Sequence, residues 1–160
     1  MKKIQWIWEN LEEVLLCAII LVVICVSGVQ VICRYLFNSS LSWSEELCRY
    51  LFVWTGFLTI SLSIKNRTII TIDAFLLLLS KRMREVLNIL VYVFCAVVFV
   101  FLSKNAVSIF LATAGQFSPA MNLPLSFVYA APLIGFILSA IRSICRIFEE
   151  IRFMSKKEAS

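Results

Sequence analysis

Residues 34–54 read RYLFNSSLSWSEELCRYLFVW and lie between two apolar runs, since residues 14–33 and 55–64 contain no charge. The stretch itself contains two arginines, two adjacent glutamates and two tryptophans. Charged groups at the edge of a bilayer are costly unless they are paired, so such a cluster indicates a structural or functional role. We therefore predict that this stretch connects two membrane-spanning helices and that its charges lie at a membrane surface.

The composition places the chain among membrane proteins. Of its 160 residues, 61% are hydrophobic and 16% are charged, whereas a soluble domain is about half apolar and about a quarter charged. We predict an all-α membrane protein that forms one domain, 1–160, because the uncharged runs are of transmembrane length. The four predicted transmembrane helices are residues 13–36, 43–65, 83–112 and 125–146. Pro119 and Pro124 predict a turn between the last two.

Residues 69–80 follow the second predicted helix and differ from the four spans. Their apolar part is too short to cross the hydrocarbon core of a bilayer, which is ~30 Å thick. The basic residues Lys81, Arg82 and Arg84 come next. The pattern predicts a short helix that lies in the membrane interface.

The distribution of basic residues predicts the orientation. Twelve of the fifteen lysines and arginines lie at the two termini or between the second and third predicted helices. The other three, Arg34, Arg49 and Lys104, lie on the opposite side. Because cytoplasmic segments carry the excess of positive charge, we expect both termini in the cytoplasm.

The start of the second predicted helix has a recognisable local pattern. Ser42-Trp43-Ser44-Glu45 fits a capping box, in which Ser42 would bond the amide of Glu45 and Glu45 would bond back. Arg49 follows Glu45 by four positions and Glu46 by three. We therefore also predict an ion pair between Arg49 and one of these glutamates.

Several function classes are not supported by the sequence. The chain has no histidine and no Cys-x-x-Cys, which argues against structural zinc, bis-histidine haem and a histidine-dependent catalytic triad. Its scattered glycines do not form a phosphate-binding loop. The net charge of +5 is attributed to topology and lipid head groups rather than to nucleic acid. We predict a non-enzyme with no catalytic residue, cofactor or metal.

The acidic residues point the same way. None of the ten aspartates and glutamates falls in the middle of a predicted span. A carrier that works alone on a proton or cation gradient usually holds an ionisable group near the bilayer midplane. The chain is therefore interpreted as a subunit that frames a transporter rather than as the transporter core.

Four groups of residues resemble the small membrane subunit (DctQ-like) of tripartite ATP-independent periplasmic (TRAP) transporters. They are Arg34-Tyr-x-Phe-Asn38, Trp43-Ser-Glu-Glu-Leu-x-Arg-Tyr-Leu-Phe-Val-Trp54, Arg67…Ile72-Asp73, and Ser118-Pro119-Ala120…Pro124…Val128-Tyr129…Pro132…Gly135. Together they cover most of residues 14–145. The family often has a histidine a few residues before the position of Asp73, where this chain has Ile69.

The resemblance implies a function in the bacterial inner membrane. The small subunit would brace a large (DctM-like) membrane subunit that carries a carboxylate substrate with sodium ions by an elevator-like movement. It would also help a periplasmic substrate-binding protein dock. The resemblance does not identify the substrate, which depends on the binding protein and the large subunit.

The resemblance also implies roles for particular residues. One cluster would order the outward ends of the first two helices and contact the large subunit: Arg34, Asn38, Trp43, Glu45, Glu46, Arg49 and Trp54. An outward loop would face the binding protein: Gln116, Ser118, Pro119 and Pro124. Arg67 and Asp73 would belong to the cytoplasmic loop.

Simpler interpretations remain open at this point. The charges of the first cluster could only neutralise one another, the tryptophans could be membrane-interface or packing residues, and Asp73 could be a helix cap. The alternative function is a stand-alone small four-helix carrier or an accessory membrane subunit of a respiratory complex. The absence of a midspan acid and of histidine disfavours both.

Overall fold

The computed structural model describes residues 11–37, 41–66, 68 and 81–158. These residues form four helices: α1 (Leu11–Leu36), α2 (Ser42–Lys65), α3 (Lys81–Ala112) and α4 (Leu125–Glu158). Each helix is long and apolar enough to cross a membrane. The prediction of an all-α protein with four transmembrane helices is therefore confirmed.

The helix bounds differ from the prediction mainly at the end of α4. This helix continues to Glu158 instead of ending at residue 146, because no glycine or proline interrupts it and Ile147, Phe148 and Ile151 keep a helical spacing. Its final dozen residues add about 18 Å at the usual rise per residue. The predicted interfacial segment, residues 69–80, lies outside the described residues.

The helices pack as a row rather than as a closed bundle. α4 packs against both α3 and α2, and α2 packs against α1. The order across the row is therefore α1, α2, α4, α3. As a consequence α1 has one main neighbour, and Leu16 is its single buried side chain.

Small side chains dominate the interfaces between the helices. The buried small residues are Ser44 and Ser61 on α2, Ala96 and Ala106 on α3, and Ala131, Ser139, Ala140 and Ser143 on α4. Lipid tails are as apolar as leucine, so transmembrane helices gain little from hydrophobic burial against one another and associate through close packing instead. The small residues allow that close approach.

The closest approach of α2 and α4 occurs at Gly135. A Cβ atom at this position would lie 2.7 Å from Cβ of Phe57 and 2.9 Å from its backbone oxygen. Next to this contact, Phe136 packs its ring edge-on against Phe57 at 5.1 Å and near Phe99 of α3 at 6.2 Å. These aromatic rings join α2, α4 and α3 at mid-height.

Candidate functional site

The loop between α3 and α4, residues 113–124, is a compact hairpin. Its two arms are joined by hydrogen bonds from the amide of Ser118 to the carbonyl of Leu123 (2.8 Å) and from the amide of Leu125 to the carbonyl of Gln116 (2.9 Å). Gly115 and Asn122 have positive φ angles of 89° and 55°, which glycine and asparagine tolerate better than other residues. The loop therefore has a defined shape of its own.

Glu46 on α2 holds this loop. Its Oε2 accepts hydrogen bonds from the backbone amides of Ala120 (3.0 Å) and Met121 (2.8 Å). Its Oε1 accepts a hydrogen bond from the hydroxyl of Tyr50 at 2.6 Å. Glu46 is 8% exposed, and Ser118 beside it in the loop is 3% exposed. We call Glu46, Tyr50, Ser118, Ala120 and Met121 the Glu46 cluster. In it, a buried carboxylate accepts hydrogen bonds from donors in two separate parts of the chain.

The predicted capping box is wrong. The N-cap of α2 is Leu41, and no side chain caps it. Ser42 is already inside the helix, so its hydroxyl is not placed to bond the amide of Glu45. The hydroxyl of Ser44 instead donates to the carbonyl of Leu41 at 2.7 Å.

The predicted ion pair of Arg49 is also wrong. Glu45 Oε1 accepts a hydrogen bond from Nε2 of Gln30 on α1 at 3.0 Å, and Glu46 is turned toward the loop. Among the described residues, neither glutamate forms an ion pair with Arg49, whose side chain is exposed. Helical spacing makes such a pair possible, but other donors bind both carboxylates.

The other predicted site residues are distributed around the Glu46 cluster. Arg34 and Trp43 are exposed, and so are Gln116, Pro119 and Pro124 in the loop. The ring of Trp54 packs against Phe127 of α4 at 5.5 Å. Asn38, Arg67 and Asp73 lie outside the described residues. The structure therefore brings the start of α2 into contact with the loop. Arg34 and Arg49 are exposed and do not take part in this contact.

A second polar cluster lies at the opposite end of α2 and was not predicted. Arg142 on α4 forms an ion pair with Glu12 of α1 and donates to the hydroxyl of Ser61 on α2 at 2.9 Å. One turn further along α4, Arg146 pairs with Glu149 and donates to the backbone oxygen of Lys65. We call Glu12, Ser61 and Arg142 the Arg142 cluster. It ties α1, α2 and α4 together.

The sequence offered one signal for this second cluster. Arg142 and Arg146 are four positions apart, and Ser139 and Ser143 on the same helix are fully buried. Residues four apart share a helix face, so a basic pair alongside small residues indicates a packed face rather than a solvent-exposed tail. As basic residues near the C-terminus, the two arginines also support the predicted topology.

The described residues offer no obvious place for a metal ion. Within residues 11–37, 41–66, 68 and 81–158, no three histidine, cysteine or acidic side chains come together as a metal site would require. The carboxylate of Glu46 is occupied by amide and hydroxyl donors. The arrangement is suited to holding backbone segments in place.

Comparison with known proteins identifies the family. The sequence profile described as "Tripartite ATP-independent periplasmic transporters, DctQ component" matches residues 21–153. The chain belongs to this family. The DctQ assignment makes it a TRAP transporter subunit and not an enzyme, and with its four apolar helices it is a multi-pass protein of the bacterial inner membrane.

Individual relatives agree with the DctQ assignment. A TRAP transporter small permease protein of Haemophilus influenzae is 27% identical over 135 residues, which is 84% of this chain and 81% of the relative. The isethionate TRAP transporter permease protein DctMQ of Oleidesulfovibrio alaskensis is 28% identical over 156 residues, 92% of this chain but 24% of the relative. The sialic acid TRAP transporter permease protein SiaT of Haemophilus influenzae is 34% identical over 80 residues, 50% of this chain and 13% of the relative. The DctQ chain thus spans about a quarter of the isethionate permease.

Two of the motif groups that resemble DctQ proteins meet in the structure. The group around Glu46 contacts the group that begins at Ser118 through the amides of Ala120 and Met121. Trp54 of the first group also packs against Phe127, which lies next to Val128 of the second group. In this DctQ chain, residues that are far apart in sequence therefore build one surface at the Glu46 end.

Proposed function

We propose that this chain is the small scaffold subunit of a sodium-coupled TRAP transporter for carboxylate substrates. In this role it braces a large membrane subunit that moves the substrate, and it provides part of the surface on which a periplasmic binding protein docks. The observation that carries the proposal is the Glu46 cluster, which fixes an exposed loop to the start of α2. A loop held in one shape can serve as a docking surface without a large cost in ordering entropy.

The proposed orientation places the Glu46 end on the periplasmic side and both termini in the cytoplasm. Along α2, the Glu46 and Arg142 clusters are separated by the residues from Glu46 to Ser61, or about 22 Å of helix. A hydrocarbon core is ~30 Å thick, so the two clusters lie toward opposite membrane surfaces. The twelve basic residues on the side of the termini, against three on the other, support this orientation.

The row of helices is consistent with a bracing role. α1 has one main neighbour and exposes Leu21, Ile24 and Val31 by half or more of their surface. Residues 51–60 of α2 carry no charge, so that segment offers no ionisable group of its own to move an ion. We therefore assign ion and substrate transport to the partner subunit.

The test is uptake by the reconstituted three-part system. Proteoliposomes that contain this chain and its large subunit would receive the binding protein outside, with and without a sodium gradient. The substrate panel would contain dicarboxylates, sialic acid and isethionate, because two relatives are named for the last two. Sodium-dependent uptake of a carboxylate that needs this chain supports the proposal, whereas uptake of isethionate alone, which is a sulfonate, would contradict the carboxylate assignment. Isolation of the chain as a lone homodimer that transports by itself would favour the stand-alone carrier.

A further inference from the structure

A groove opens on one side of α4, between α2 and α3. Its volume is about 400 Å³, and its lining includes Phe57 of α2, Ala106 and Ile109 of α3, and Val128 and Pro132 of α4. α4 packs against both α2 and α3, and the groove lies along α4 where residues of all three helices line it. Three helices therefore border one apolar space that opens to the side of the protein.

Polar groups with unused hydrogen-bonding capacity lie along this apolar space. In a regular α-helix the carbonyl of Val128 would accept from the amide of residue 132, but Pro132 has no N–H, so this carbonyl lacks its usual donor. Asn105 also lines the groove, and although its Nδ2 donates to the carbonyl of Phe101 at 3.1 Å, its Oδ1 accepts no hydrogen bond within the described chain. The hydroxyl of Tyr129, another lining residue, has no hydrogen-bond partner among the described residues.

These groups distinguish the groove from the faces suited to lipid. Leu90, Phe94 and Val97 on α3 are each 64–67% exposed and offer a purely apolar surface. Lipid acyl chains can pack against such an apolar surface. They cannot donate a hydrogen bond to the carbonyl of Val128 or to Oδ1 of Asn105. A neighbouring transmembrane helix can supply both an apolar side chain and a donor.

We propose that this groove receives a transmembrane helix of the large subunit. An apolar or aromatic side chain of that helix fills the space beside Ala106, and a hydroxyl, indole or amide group donates to the carbonyl of Val128 or to Oδ1 of Asn105. The proposal rests on the proposed function, which supplies the partner. It is supported by the isethionate permease, in which a region similar to 92% of this chain makes up 24% of a longer polypeptide and is therefore covalently joined to further protein.

Site-specific photo-cross-linking in membranes tests the inference. A benzophenone amino acid would replace Ile109, which lines the groove and is 47% exposed, or Val97, which is 64% exposed on the apolar face. Irradiation of the assembled transporter should join position 109 to the large subunit severalfold more than position 97. Equal adducts at both positions, adducts with lipid alone, or adducts with a second copy of this chain would each overturn the proposal.

A matched pair of variants separates this inference from the proposed function. Ile109→Trp fills the groove, and Val97→Trp adds the same ring to the lipid-facing side. We expect Ile109→Trp to reduce the co-purified large subunit severalfold and Val97→Trp to leave it unchanged, with circular dichroism and size-exclusion profiles showing that both variants fold. If the wild-type chain itself fails to co-purify with the large subunit, the proposed function fails; if it co-purifies and both variants behave alike, only the groove assignment fails.

Discussion

The carboxylate of Glu46 accepts a 2.8 Å hydrogen bond from the backbone amide of Met121, which lies 75 positions later in the chain. A second amide, that of Ala120, donates to the same oxygen at 3.0 Å. Hydrogen bonds to an ionised acceptor are stronger than hydrogen bonds between two uncharged groups. This relationship fixes the α3–α4 loop relative to α2, and it makes Glu46 the first target for mutation.

Replacing Glu46 should release the loop. In Glu46→Lys the acceptor is lost and a positive charge faces two amide donors, so we expect a lower unfolding temperature in detergent and a severalfold loss of transport. Glu46→Gln retains an acceptor without its charge and should have an intermediate effect. Thermal unfolding and uptake in proteoliposomes measure the two consequences.

The matched control for Glu46 is its neighbour. Glu45 is exposed and bonds Gln30 at 3.0 Å, so Glu45→Lys should change stability far less than Glu46→Lys. Equal effects of the two reversals would mean that net charge at this end matters, and that the hydrogen bonds to the loop do not.

Gly135 should tolerate no side chain. A Cβ atom there would contact Cβ of Phe57 at 2.7 Å and its backbone oxygen at 2.9 Å, so α2 and α4 must move apart in Gly135→Ala. Overpacking of this kind costs roughly 1–3 kcal/mol. Thermal or denaturant unfolding in detergent would show the loss.

Gly56→Ala is the control for this prediction. An added Cβ at Gly56 meets nothing within 4 Å, and alanine is favoured over glycine in a helix interior by about 1 kcal/mol. We expect this variant to be as stable as the wild type or more so. A Gly135→Ala protein that unfolds at the wild-type temperature would show that the α2–α4 contact is looser than described.

Arg142 should matter more than an arginine at the exposed end of the same helix. Arg142→Met removes the ion pair to Glu12 and the bond to Ser61, and it leaves a partly buried carboxylate without its partner. Hydrogen bonds to charged groups contribute about 1.5–3 kcal/mol, so we expect destabilisation of about that size in an unfolding assay. Arg152→Met, at an exposed position, is the comparison and should change stability little.

A double variant sharpens the test of the Arg142 cluster. Exchanging the charges in Glu12→Arg with Arg142→Glu should recover part of the stability that each single change loses. Simple additivity of the two single losses in an unfolding assay would argue against direct pairing.

The orientation can be tested independently of stability. A reporter fused after Ser160 should behave as cytoplasmic, because the basic residues are concentrated on the side of the termini. In a cysteine-free background, Pro119→Cys should react with a membrane-impermeant maleimide added outside intact cells, since Pro119 is exposed in the loop. Labelling of this variant only after the membrane is permeabilised would reverse the assignment.

The sequence was a reliable guide to the helices because their signals are local. Uncharged runs such as residues 14–33 determine where a chain can cross a membrane, whatever surrounds them. The turn at Pro119 and Pro124 is likewise determined by the backbone chemistry of proline. The predicted end of α4 at residue 146 differs from the structure because the polar residues that follow resemble a solvent-exposed tail, although the helical spacing of Phe148 and Ile151 continues to Glu158.

The partners of the charged residues could not be read in the same way. The spacing of Glu45 and Arg49 predicted a pair within one helix, but Gln30 on α1 bonds Glu45 instead. The donors for Glu46 are amides from a loop that is distant in sequence, and almost any residue type can supply an amide. No side-chain pattern marks such a partner.

The membrane class, the four helices and the resemblance to the DctQ family therefore follow from the amino-acid sequence, because hydrophobic length and short motifs act locally. The row of helices, the contact of Glu46 with the loop and the connection of α1, α2 and α4 by Arg142 become visible in the folded chain alone. These features depend on which helices come into contact. That choice is made by close packing at positions such as Gly135 and by hydrogen bonds between groups far apart in the chain.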